Sequence, residues 1–359
     1  DKWINFVNEY RQLISIAVPV VLVQLLWWIF MIITDWFVMV FDDKIGTYSQ
    51  PRYYLAIAMV FGSMIAGSTS EGGAAIAFPI LTLLMGVSPS IARDFSFMIQ
   101  SIGMSCASFS IFFMKVKLEY SSLVYCTIGG TIGVLLGLEY VAPYLAPAYT
   151  KMIFVSVWFA FAMLLLFNNV IYHNNRKVYH AIPYWDKGVI YSAYGVVINW
   201  KAVLLVVGGF VGGVFTSLGG SGLDICSFSI LTLVFNVSER IATPTSIVLM
   251  AINSLIAFAW RWGWDLIEVE CWYMWLACVP VVVVGAPLGS IQSSHWHRLV
   301  IAWLVISIDT LQLIGALVIV QPWTSEDTSL PLLLSLESLG LFLLGCVLRK
   351  QAIYLICLS

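Results

Sequence analysis

Charge is scarce in this chain. Lys, Arg, Asp and Glu together make up 10% of its 359 residues, against about a quarter in soluble domains. No run of lysines and arginines is dense enough to track a phosphate backbone, so nucleic acid is not expected as a partner. Histidines number four, and His173, His180, His295 and His297 all lie in polar stretches or at a span edge. That removes the base an intramembrane protease would need, although Gly219-Gly220-Ser221-Gly222 fits the Gly-x-Ser-Gly of rhomboid-type enzymes. No enzyme activity is expected. His295-x-His297 is too small a set for a metal, and no cofactor is expected. The seven cysteines show no Cys-x-x-Cys or Cys/His ligand spacing and read as free, buried thiols. No signal peptide is read at the start.

What the chain has in plenty is apolar residues, 61% of the total, with a mean hydropathy of +0.94. This composition predicts a multi-pass integral membrane protein, with the lipid bilayer as its first partner and the plasma membrane as the default location. Spans are expected at Leu13–Phe41, Ile91–Met114, Tyr120–Val141, Lys151–Phe167, Ile241–Trp260, Val269–Ile291 and Leu299–Val320. A stripe of Trp3, Ile4, Val7, Tyr10 and Ile14 predicts a short interfacial helix before the first span. One more helix, Leu330–Leu348, is expected at the end. Trp260, Trp262, Trp264, Trp272, Trp275 and Trp296 cluster at span ends, as interfacial anchors do.

The chain contains itself twice. Gly62–Ser96 reads GSMIAGSTSEGGAAIAFPILTLLMGVSPSIARDFS, and Gly212–Ser246 reads GGVFTSLGGSGLDICSFSILTLVFNVSERIATPTS. Without a gap, twelve of thirty-five positions are identical, among them Gly72 and Gly222, Phe78 and Phe228, and the whole Ile-Leu-Thr-Leu tetrad. Each copy carries a glycine- and serine-rich knot inside an apolar run. Tyr53–Gly86 as one straight helix would reach about 51 Å, far beyond a hydrocarbon core of about 30 Å. The knot divides it into two pieces of about half a bilayer each.

Such a segment either crosses once, broken and tilted, or returns to its starting side as a re-entrant hairpin. With hairpins, the seventeen lysines and arginines divide twelve to one side and five to the other, whereas single crossings split them almost evenly. The positive-inside rule therefore favours hairpins. The expected fold is all-α, with two inverted repeats, each a broken re-entrant hairpin plus three transmembrane helices, and one extra helix at each end. Residues 1–52 hold the interfacial helix, first span and loop; 53–170 form the first repeat; 171–197 are a polar linker. Residues 198–320 form the second repeat, and 321–359 hold the last helix.

These features together resemble the sulfite exporter TauE/SafE family. A glycine-rich broken helix, an apolar run, a short Val-Ser turn and an Ala-x-x-x-Ser element all occur twice, over about Tyr53–Val320. The family's glycine-rich motif maps onto Gly67–Gly73 and Ser217–Gly222. Its Ala-x-x-Thr-Ser element maps onto Ala242-Thr243-Pro244-Thr245-Ser246, and onto Ala92-Arg93-Asp94-Phe95-Ser96 with Phe95 in place of threonine. Glu71 interrupts the first glycine run. The resemblance implies a transporter of small anions such as sulfite, organosulfonates or related carboxylates, working by alternating access. The competing class is a membrane scaffold or complex subunit that kept the fold without transport. An oligomer or a larger membrane complex fits either.

The residues themselves support an anion site. A half-helix starting at Gly72 or Gly222 presents free N–H groups and about half a positive charge toward the midplane. The candidate substrate-binding residues are Ser68, Thr69, Ser70, Gly72, Gly73 and Ser96 in the first copy. Their partners in the second are Ser217, Gly219, Gly220, Ser221, Gly222, Thr245 and Ser246. The alternative for the glycines is close helix packing. Glu71 and Asp224, in or beside the knots, are candidates for proton coupling, for capping a half-helix or pairing structurally, or for holding a cation. Asp224 sits where a first-turn cap would. Arg93 is read as a charge at a loop edge, a partner for Asp94 or an attractor of substrate. Asp309, inside an apolar span, is read as a polar contact between helices.

Overall fold

The computed structural model describes residues 10–36, 52–69, 71–170, 179–183, 185, 189–193, 196–292 and 298–321. The expected interfacial helix, most of the Asp42–Arg52 loop, Ser70, His173, the His295/His297 pair, Trp296 and the C-terminal helix lie outside these residues. Helix α1 is Arg11–Thr34. Then α2 (Arg52–Ser68), the knot, and α3 (Ala74–Pro79), which runs on into a π-helical turn at Ile80–Leu84, lead to three long helices. These are α4 (Pro89–Phe113), α5 (Tyr120–Tyr140) and α6 (Pro147–Val170). Two short strands, β1 (Val189–Ala193) and β2 (Val196–Asn199), pair antiparallel within the expected linker. The series then repeats: α7 (Trp200–Gly219), α8 (Leu223–Ser229) with a π-helical turn at Ile230–Val234, α9 (Glu239–Gly263), α10 (Val269–Gln292) and α11 (Arg298–Val320).

Apart from the short hairpin the described residues are helical, and seven helices are long and apolar enough to cross a membrane. The first of these stops at Thr34, where Asp35 takes a left-handed backbone, rather than continuing to Phe41. Its Leu13, Val21, Leu25, Ile32 and Ile33 face outward, the surface a lipid-bathed helix presents.

Identical sequence gives identical local structure in the two copies. In each Ile-Leu-Thr-Leu tetrad the threonine hydroxyl turns back to the carbonyl four residues earlier, Thr82 to Phe78 at 2.7 Å and Thr232 to Phe228 at 2.8 Å. The widened turn then closes in the same way, Met85 N–H on the Ile80 carbonyl and Phe235 N–H on the Ile230 carbonyl. The next helix starts at the Val-Ser step. Ser88 accepts from the Ile91 N–H with Pro89 at the first helical position, and Ser238 occupies the same N-cap place in the second copy.

The halves interlock. The most extensive packing joins α5 to α7 and α2 to α10, each pair taking one helix from each half. Both seams are made of glycine: a Cβ on Gly129 would stand 2.0 Å from the Val206 carbonyl oxygen, and one on Gly67 2.0 Å from that of Ala286. Backbones approach this closely only where no side chain intervenes.

Contacts also fix helix directions. Gly129 faces Val206 and Gly133 faces Phe210, so α5 and α7 run the same way. Glu119 N–H reaches the Thr245 hydroxyl and Gly130 faces Asn253, so α5 and α9 do too. Helix α8 folds back along α7, with Gly208 against Ile230 and Gly212 against Cys226. Helix α3 folds back on α2 likewise, with Gly62 against Ile76. The counterparts α4 and α9, however, run antiparallel: Asp94 meets Arg261, and Gln100 meets Ser254.

Part of the linker lies on the α5/α7 end of the molecule. Ile182 N–H donates to the Glu119 carboxylate at 3.1 Å, Lys201 Nζ to the Pro183 carbonyl at 2.7 Å, and Tyr179 bridges to Val237. Trp262 and Trp264 are exposed at the end of α9 as expected of anchors, but Trp275 instead donates to the Met98 carbonyl at 2.9 Å, tying α10 to α4.

Candidate functional site

The tips of the two broken helices meet each other at the centre of the fold. Gly72 and Gly220 both have left-handed backbone, φ +76° and +90°, which lets the chain reverse within the knot. The Ser221 hydroxyl of the second tip bridges to the Glu71 carbonyl of the first at 3.1 Å and lies 2.6 Å from Asp224 Oδ2. The crossing helices α4 and α9 close the centre. Gln100 Nε2 donates to the Gly220 carbonyl at 3.2 Å, and Ser254 donates to Gln100 Oε1. Met250, 150 residues after Gln100, packs against Gly72 and Ser221. Each central helix thus reaches the tip belonging to the other half.

The two tips are not equivalent chemically. In the second, the N-terminus of α8 is already capped: Gly222 N–H donates to Asp224 Oδ1 at 2.8 Å and Leu223 N–H to Thr216 Oγ1 at 3.0 Å. Asp224 is therefore a cap, as its first-turn position suggested. In the first copy the same positions are Ala74 and Ala66, neither of which can accept a hydrogen bond through its side chain. The acceptors that cap α8 thus have no counterpart at these positions of the first tip.

Glu71 does not cap. Its carboxyl interacts directly with that of Asp309 on α11, and neither group has a hydrogen bond to another side chain or backbone group among the described residues. Glu71, Asp224 and Asp309 are 0%, 1% and 0% exposed. Asp309 thus contacts a hairpin tip, a role its place in an apolar span could not convey.

The other expected site residues fall into distinct places. Ser96 packs against Gly220 and bonds back to the Ala92 carbonyl at 2.7 Å. Ser68 and Thr69 both turn back to the Ile65 carbonyl, and Thr69 also accepts from the Glu71 N–H. Ser217 bonds to the Val214 carbonyl and sits against Gly137, away from the tips. Thr245 and Ser246 bond back within α9, and Thr245 meets Glu119. Gly67 and Gly219 serve close packing, against Ala286 and Phe154. Gly73 and Gly222 stand at the starts of α3 and α8. Gln100, Met250 and Ser254 escaped the sequence reading, although a lone glutamine in an apolar span was a visible signal.

Arg93 is not at a loop edge. It is buried in α4, and Asp94 accepts from both Arg93 Nε at 3.0 Å and Arg261 Nε at 3.1 Å. Two guanidinium groups share one carboxylate at one end of the α4/α9 crossing. At the other end the corresponding positions are Thr243, Pro244 and Ile111. The described cysteines, Cys106, Cys126, Cys226, Cys271 and Cys278, are all free.

Comparison with known families gives one match: the family model described as sulfite exporter TauE/SafE fits residues 54–314, more than half of the chain. No curated protein and no solved structure matches.

Proposed function

Because the chain belongs to the sulfite exporter TauE/SafE family of membrane transporters, we propose that it carries small sulfur-containing or carboxylate anions by alternating access at the two glycine tips. The observation that carries this reading is the meeting of the tips at the centre, where the Asp224 and Thr216 caps of the second are replaced by Ala74 and Ala66 in the first. There the amides at Gly72 and Gly73 are the donors a small oxyanion takes, and the Ser221 hydroxyl across from them can turn to it from Asp224. The helix directions support the division into repeats at 53–170 and 198–320 and their inverted arrangement. Counterpart helices α4 and α9 running antiparallel fit a pseudo-two-fold axis across them, which would lie in the membrane plane when the helices cross it. Helices α7 and α9 running the same way support a re-entrant second hairpin, because a single broken crossing would reverse α9.

The function is tested by uptake of radiolabelled sulfite, ethanesulfonate and acetate into proteoliposomes, with and without a pH gradient. Uptake of none of these would leave the scaffold reading in its place. Where an anion is transported, Ser221→Ala should weaken its binding by about 0.5–3 kcal/mol, the range for neutral to charge-assisted bonds. Unchanged affinity in a folded variant would remove Ser221 from the site. The hairpins are tested by cysteines at Tyr54, Ser90, Tyr120 and Arg240. A membrane-impermeant reagent should label the first two from one side and the last two from the other. Tyr54 and Ser90 on opposite sides would sink the hairpin arrangement.

A further inference from the structure

We propose that Glu71 and Asp309 form a proton-carrying carboxyl pair whose proton travels with the transported anion. The inference rests on the anion-transport reading and adds to it a site that spans the first tip and α11. Two fully buried carboxyls, 238 residues apart in sequence, interact directly, with no hydrogen bond to anything else among the described residues. Side by side and both ionised, they would repel each other in a medium that does not solvate them. A proton between them turns the repulsion into a hydrogen bond. The other charged group that acts on Glu71 is Asp224, on α8, and it is also acidic. Among the described residues, neither lysine nor arginine is paired with any of the three.

The acidity of the centre links proton to anion. An anion entering the first tip meets the charge of Glu71 at the neighbouring residue. With one proton the Glu71–Asp309 pair carries a single negative charge; a second proton brings it to neutrality. Charge is then conserved by a simple exchange of states, in which the neutral pair accepts the anion, and pair and anion together hold the single negative charge that the singly protonated pair held before. Because binding linkage is reciprocal, a proton that favours the anion is itself favoured by the anion. Asp224 does not take this part, since its carboxylate is occupied by the Gly222 amide and the Ser221 hydroxyl.

The pair exists in one copy only. The positions 150 residues away from Glu71 and Asp309 are Ser221 and Phe159. Asp309 on α11 is thus the counterpart of an aromatic residue on α6, and the site cannot be read by comparing the copies.

Two measurements on the full-length protein test the proposal. Infrared spectra of the purified protein should show a protonated-carboxyl stretching band that changes with pH. Either Glu71→Gln or Asp309→Asn should shift or abolish the whole band, because one proton serves both groups, and Asp224→Asn should leave it in place. A band that either substitution leaves unchanged in position and intensity overturns the pair. In proteoliposomes loaded with a pH-sensitive dye, ethanesulfonate moving down its gradient should carry about one proton per anion. The ratio should fall to near zero in Asp309→Asn and Glu71→Gln, whatever their absolute rates. An unchanged ratio in both overturns the coupling. If the parent protein moves no ethanesulfonate or sulfite, it is the transport reading that fails, and the infrared comparison alone decides the pair.

Discussion

Asp94→Ala is expected to destabilise the protein by about 3–5 kcal/mol, the range for removing one partner of a buried ion pair. The effect comes from the Arg93 guanidinium left behind, which is buried, together with that of Arg261, which is partly so. Both would lose their carboxylate at once. Arg261 also donates to the Leu266 carbonyl at 2.7 Å and reaches toward solvent, so Arg261→Gln should cost much less. Thermal unfolding of the detergent-solubilised variants measures both. Equal melting temperatures for Asp94→Ala and the parent would show that water, not Asp94, solvates the two arginines. Removing both Arg93 and Asp94, as Met and Leu, should recover part of the loss.

Gly129→Leu should prevent the α5/α7 seam from forming. Even a methyl group there would stand 2.0 Å from the Val206 carbonyl oxygen, which is backbone and cannot swing aside. Overpacking by one or a few methylenes typically costs about 1–3 kcal/mol, and leucine adds far more bulk than that along an entire helix contact. We expect Gly129→Ala to lower the melting temperature clearly and Gly129→Leu to yield no monodisperse protein. Gly213→Ala, 2.4 Å from the Gly130 carbonyl oxygen, is the matched change on the facing helix. Gly263→Ala, with nothing within 4 Å, is the control and should melt like the parent. A folded, parent-like Gly129→Leu would mean that the two helices do not touch in the membrane.

Much of this fold is legible in the sequence because it is local. The duplicated Ile-Leu-Thr-Leu and Val-Ser elements dictate a widened turn and a new helix start, and both copies obey. The spans follow from apolar length, and each boundary described falls within a few residues, α1 excepted. Asp224 could be placed as a cap because capping depends on a spacing of a few residues. Contacts between copies were not legible. Periodicity does not say that Gly129 faces Val206, nor that Asp309 reaches a tip 238 residues earlier. Arg93 looked like an edge charge for the same reason: Arg261, the second cation on Asp94, reaches that carboxylate only once α4 and α9 cross antiparallel.

The glycine seams have a consequence for how such a chain arose. Helix α7 finds its close-packed partner in α5, and α2 finds its own in α10, always in the other half. A single ancestral unit would have exposed one bare glycine face on each of two helices, with nothing in its own chain shaped to cover them. Its natural cover is a second copy of itself, packed with its central helix antiparallel as α4 and α9 are now. A symmetric pair of such units is the arrangement that would leave neither glycine face bare. Joined in one chain, each half has a fixed partner, and the two need not be alike. The acid pair on one side, and the three-charge cluster at one end of the crossing, are what that freedom left behind.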